Sequence, residues 1–114
     1  MMGLNGSSGG ENNVAIGNQA LKQITSGNYN VCLGNKSGYS ITTAANIIAI
    51  GDNAFSKVTT SGNSVAIGRY AGYGCTGGQN ICIGYNVAYN TSSNTGHNNV
   101  LMGQTTSYLS LIHI

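Results

Sequence analysis

The chain carries few side chains suited to chemistry: two carboxylates (Glu11 and Asp52), two histidines (His97 and His113) and three cysteines (Cys32, Cys75 and Cys82). The acids stand 41 positions apart, whereas general acid–base catalysis by carboxylates needs both in reach of one reacting bond. Neither histidine has a cysteine or carboxylate at ligand spacing, so no zinc-type metal site is expected. Residues 72–77 spell G-x-G-x-x-G, but a dinucleotide fingerprint needs a strand before it and a helix after it. No helical periodicity follows, so the match is read as coincidence. The expectation is a protein without cofactor or catalytic residues, and not an enzyme.

What must position any other functional surface is a repeat. Val14, Ala15, Ile16 and Gly17 return as Val31, Cys32, Leu33 and Gly34, then as Ile48, Ala49, Ile50 and Gly51. Val65, Ala66, Ile67 and Gly68 follow, then Ile81, Cys82, Ile83 and Gly84, and finally Val100, Leu101, Met102 and Gly103. The glycines are spaced 17, 17, 17, 16 and 19 residues. A fixed short period marks an architecture of stacked units, each touching only its neighbours. The predicted fold is all-β: a parallel β-solenoid or β-roll of about six coils over residues 12–108. Residues 1–11 read as a flexible Gly/Ser/Asn-rich lead-in. Residues 109–114 read as a tail that breaks the repeat and is similar to a translated frame of a sequencing adapter.

Aligned on the glycines, each column has a role. The Val/Ile pair shares one side of a strand and is expected to fill the coil interior. The residue between them (Ala15, Cys32, Ala49, Ala66 and Cys82, with Leu101 last) is expected to point outward. That smooth face makes these small residues the candidate chain–chain interface. Gly17, Gly34, Gly51, Gly68, Gly84 and Gly103 are structural turn residues, at corners where a Cβ would be resisted. Asn13, Asn30, Asn46, Asn63, Asn80 and Asn99 precede the strands, where asparagine tolerates left-handed backbone and can stack into an amide ladder. Ala20, Ser37, Ala54, Ala71, Val87 and Thr106 are expected at an inward corner.

The second half of each coil carries Ile24-Thr25, Ile41-Thr42, Val58-Thr59 and Cys75-Thr76. It is expected to be a second short strand, giving two facing parallel sheets. Cys32 and Cys82 then lie three coils apart, ~14 Å at strand spacing, beyond disulfide reach. All three cysteines are read as small buried or semi-buried fillers, with no disulfide framework. Four tyrosines, Tyr39, Tyr73, Tyr89 and Tyr108, fall five residues after a glycine and are candidates for stacking on a ligand, since tyrosine offers an apolar body and a polar tip. Tyr70 and Tyr85 stand nearby. Thr25, Thr42, Thr59 and Thr76 form an outward column and are the other ligand-binding candidates.

Four basic residues and two acids give a net charge of +2 with no basic run, so nucleic-acid binding has no electrostatic footprint. No run approaches a transmembrane span, and the first residues lack the basic and apolar segments of a signal peptide.

The pattern N-x-V-A-I-G, then a small residue, then T-x-G, resembles the head repeats of YadA-like trimeric autotransporter adhesins. It is closest at Asn13 to Gly17, Ser64 to Gly68 and Ala49 to Gly51. The A-G-Y of Ala71, Gly72 and Tyr73 is similar to long-period repeats of phage tail-fibre proteins. The resemblance implies left-handed parallel rolls assembled as homotrimers on a cell or virion surface, attaching to host glycans or proteins. The period here is longer than the compact adhesin repeat, which requires a wider coil or a longer turn. The expected function is a non-enzymatic structural or adhesive module, extracellular or on a virion, self-associating as a trimer or end to end. The alternative is an ice-binding solenoid that uses its threonine column.

Overall fold

The computed structural model describes residues 2–4, 10–89, 96–104 and 111–112, with backbone alone at 2–4 and 111–112. Each Val/Ile segment forms a short strand: β2 (Asn13–Ile16), β3 (Val31–Leu33), β4 (Ile47–Ile50), β5 (Ser64–Ile67), β6 (Ile81–Ile83) and β7 (Val100–Met102). They stack in sequence order as six parallel strands in register, Val14 beside Val31, Val31 beside Ile48 and so on to Ile81 beside Val100. The protein is a β-solenoid, one strand per coil, and no helix occurs among the described residues. Its dimensions are 41 × 22 × 22 Å.

Both ends of the parallel stack are covered. β1 (Met2–Leu4), inside the expected flexible lead-in, pairs antiparallel with β2. β8 (Leu111–Ile112), inside the expected extraneous tail, pairs antiparallel with β7. The backbone edges of β2 and β7 that end-to-end stacking would use are therefore occupied within the chain.

The glycine after each strand has φ between 126° and 134°. The column is close-packed as well: a Cβ on Gly17 would stand 2.5 Å from the Gly34 carbonyl oxygen, and one on Gly34 2.7 Å from that of Gly51. Only glycine allows this turn and this stacking. Two further left-handed positions follow in each coil, at Gln19, Lys36, Asn53, Tyr70 and Asn86 and then at Leu21, Gly38, Phe55, Gly72 and Ala88. They bend the chain back across the core.

Contrary to the expectation of two facing sheets, the described residues form a single sheet. The amides of Thr25, Ser26 and Gly27 all donate to the Thr42 carbonyl, at 3.0, 3.1 and 3.1 Å. Those of Thr42, Thr43 and Ala44 likewise converge on Thr59. Three consecutive donors aimed at one acceptor make a tight arc, whereas a strand sends alternate groups to opposite sides. The columns survive without the strand: Ile41, Val58 and Cys75 are buried, and Thr25, Thr59 and Thr76 are exposed.

The asparagines divide into two columns, one more than the sequence reading gave. Asn13, Asn30, Asn80 and Asn99 are buried at the strand entrance. Asn30 donates through Nδ2 to the Ala44 carbonyl (2.9 Å) and accepts through Oδ1 from the Ile47 amide (3.0 Å). The same buried column holds Ile47 and Ser64 in the middle coils, and Ser64 Oγ takes over as acceptor for the Asn80 amide (3.0 Å). Asn46 and Asn63 sit one residue earlier, exposed and left-handed with Asn12, Tyr29, Gln79 and Asn98. They form their own amide contact of 3.2 Å.

Candidate interaction face

The strand faces are the reverse of the sequence expectation. Ala15, Cys32, Ala49, Ala66, Cys82 and Leu101 point into the coil and are all but inaccessible. Val14, Ile16, Ile48 and Ile67 point outward, each about 40% exposed, with Ile81 and Met102 beside them. The other members of the two columns, Val31, Leu33, Ile50, Val65, Ile83 and Val100, are partly exposed. The small column is thus no chain–chain interface. It is small because the interior is already filled from the opposite arc by Leu21, Ile41, Phe55, Val58 and Val87, all buried.

The interior also alternates in size along the stack, which the sequence reading missed. Leu21, Gly38, Phe55, Gly72 and Ala88 occupy one column, so bulky and minimal residues alternate from coil to coil over the first four. The signal was present: a glycine recurs four residues after Gly34 and Gly68, where Leu21 and Phe55 stand after Gly17 and Gly51. The inward-corner expectation holds for Ala20, Ser37, Ala54, Ala71 and Val87, while Thr106 lies outside the described residues. The residues of the G-x-G-x-x-G string serve the roll, Gly72 being left-handed and packed on the Phe55 ring.

The outward strand face is a parallel sheet with two columns of large aliphatic side chains. No charged residue occurs within β2 to β7. Asp52 and Arg69 each directly follow a strand glycine, in the column that also holds Asn18 and Asn35. Asn18 Nδ2 donates to Asn35 Oδ1 (3.3 Å), Asn35 Nδ2 to Asp52 Oδ1 (2.8 Å) and Arg69 Nε to Asp52 Oδ2 (3.4 Å). The Asn35 amide, then Asn53 and Arg69, hold the Asp52 carboxyl below its usual range, partly opposed by desolvation.

The tyrosine column is partly assembled. Tyr73 and Tyr89 stack with ring centroids 5.0 Å apart, and Tyr70 meets both edge-on at 5.5 and 5.2 Å. Lys57 lies over Tyr73 at 4.7 Å and Arg69 over Tyr70 at 5.0 Å. Tyr39 is separated from this cluster by Ser56 and has Lys22 above its ring at 5.7 Å. Tyr108 lies outside the described residues. In the threonine column the hydroxyls face the next coil: Thr25 Oγ1 donates to the Thr42 carbonyl (3.0 Å) and Thr42 Oγ1 to that of Thr59 (3.3 Å).

The thiols are buried as expected, but one relationship was not foreseen. Cys75 Sγ and Cys82 Sγ are 3.7 Å apart inside the coil. That bond favours the Cys75 thiolate and, with burial, pushes the Cys82 thiol up. Burial alone pushes Cys32 up to about 12, with Ser37 opposing it slightly. His97 accepts at Nδ1 from the Gly78 amide (3.0 Å) and holds the loop between two coils.

Compared with known proteins, the chain matches no family model, no curated protein and no solved structure.

Proposed function

We propose that this chain is a structural, self-associating solenoid module of the kind that builds adhesin heads or tail-fibre shafts, and that it associates through its outward Val/Ile face. One observation carries this reading: a parallel sheet whose outer surface is apolar in every coil. Parallel sheets are covered on both faces, and a contiguous exposed apolar patch marks a contact surface. Val14, Ile48 and Ile81 in one register column, without a charge in the strands, match the charge-depleted core of a protein interface. A second copy of the same face is a complementary surface of that kind.

The adhesive part of the proposal rests on the Tyr70, Tyr73 and Tyr89 cluster with Lys57 and Arg69 over two of its rings. Aromatic faces with nearby cations suit a sugar or a protein surface on a host. Such a module works outside the cell or on a virion and needs no catalysis. Absolute mass by light scattering tests the association. A multiple of the 11.6 kDa chain mass is expected for the natural sequence, and the chain mass alone for the Ile48→Glu, Ile67→Glu double variant. A monomeric natural chain at high concentration overturns the proposal.

Ice binding is the second reading, favoured by the outward Thr25, Thr42, Thr59 and Thr76 column repeating once per coil. It has less support, since the Thr25 and Thr42 hydroxyls already donate to backbone carbonyls.

A further inference from the structure

Coils one to three place a large apolar residue of the arc and a small strand residue in the core at a separation of eight: Ile24 and Cys32, Ile41 and Ala49, Val58 and Ala66. The fourth coil departs twice. Its separation is seven, at the place where the glycine spacing falls to 16, and both positions are cysteine. The shortened turn passes through Gly77 and Gly78, both buried, and a left-handed Gln79. It brings Cys75 to 3.7 Å from Cys82, both with no exposed surface.

We propose that Cys75 and Cys82 are the two halves of a disulfide that staples the arc of this coil to strand β6 across the core. A pair of cysteines replaces a large–small apolar pair where the coil is one residue tighter, and the two sulfurs face one another inside the coil. Forming the bond brings the sulfurs from 3.7 Å to an S–S distance of about 2.05 Å. Cys32 has no such partner, because β3 and β6 are three strands apart.

The oxidant is a small disulfide such as oxidised glutathione, acting before the coil closes over the two thiols. The Cys75 thiolate attacks one glutathione sulfur, and the other glutathione leaves as a thiolate. Cys82, losing its proton to solvent, then attacks Cys75 Sγ and displaces the second glutathione. Two electrons end on the two glutathiones, and two thiol protons are released. A short loop closed in this way restricts the unfolded chain and raises stability.

The test uses the full chain, refolded with reduced and oxidised glutathione, then unfolded and alkylated. Trypsin separates Cys32 from the peptide after Arg69 that carries Cys75 and Cys82. The expected result is that this peptide is lighter by two hydrogens and unalkylated, while Cys32 is alkylated. The melting temperature of the oxidised protein should exceed that of the reduced protein by on the order of 10 °C. The Cys32→Ser variant should keep both results and Cys82→Ser should lose both. Three alkylated thiols, a disulfide involving Cys32, or a bond formed without any rise in melting temperature would each overturn the proposal.

Discussion

Gly72 lies where the Phe55 ring of the preceding coil packs, so that a Cβ on Gly72 would fall on the ring itself. Gly72 is also left-handed, at φ 64°, and Phe55 is fully buried. Gly72→Ala is therefore expected to lower unfolding free energy by about 2–4 kcal/mol, combining overpacking with backbone strain. Phe55→Leu, which withdraws the ring, should recover part of that loss in the double variant. Denaturant unfolding of the two single variants and the double variant measures the coupling, and strict additivity would refute the contact.

The inverted strand faces give opposite expectations for adjacent residues. Ala49→Val adds volume to a closed interior and should cost about 1–3 kcal/mol. Ile48→Thr, on the outer face, should leave thermal stability of the isolated chain nearly unchanged while reducing the associated mass. Melting curves with light scattering separate the two effects. Equal destabilisation at both positions would contradict the assignment of faces.

Asn30 satisfies two backbone groups that would otherwise be buried without partners, the Ala44 carbonyl and the Ile47 amide. Asn30→Ala should cost about 2–4 kcal/mol, since an unsatisfied buried group costs about 1–3 kcal/mol. Hydrogen exchange should show the loss of protection first at the Ile47 amide. Unchanged exchange there would show that the amide has another partner.

Asp52 sets a pH dependence. Its carboxyl is held below the ordinary value of 3.8, first by the Asn35 amide, so its contribution is fully present above the unfolded value and is lost as pH falls through the lower folded value. The side chain is about one-third exposed, so the effect is small and screened. Asp52→Asn should keep the amide ladder from Asn18 and Asn35 while flattening stability against pH in the acid range. A variant with the same acid slope as the natural chain would show that the Asp52 contacts contribute nothing.

For the threonine column, Thr42→Lys with Thr59→Lys should abolish thermal hysteresis if the column binds ice. Unchanged hysteresis would exclude that surface, and its absence in the natural chain would end the ice-binding reading. The Thr42 hydroxyl donates to backbone at the surface and Thr59 is exposed, so stability should change by no more than about 1 kcal/mol per site.

The residue pattern by itself determined the repeat, the parallel register and the corner chemistry. Gly17, Gly34 and Gly51 recur because a stacked corner at φ near 130° excludes a Cβ, and that constraint is written directly into residue type. The strand positions were equally legible, from the Val/Ile spacing alone. Which strand face is inside was not, because period-two alternation identifies two faces without saying which one the coil encloses. Only the tertiary structure decided it: Leu21, Phe55 and Val58 enter from the arc and leave room only for Ala49, Ala66 and Cys82 opposite. The same closure turned Ile24, Ile41 and Val58 into anchors of a tight arc, and it brought Cys75 onto Cys82. Interior volume is shared among all segments of a coil, so no single segment of the sequence reveals how it is divided.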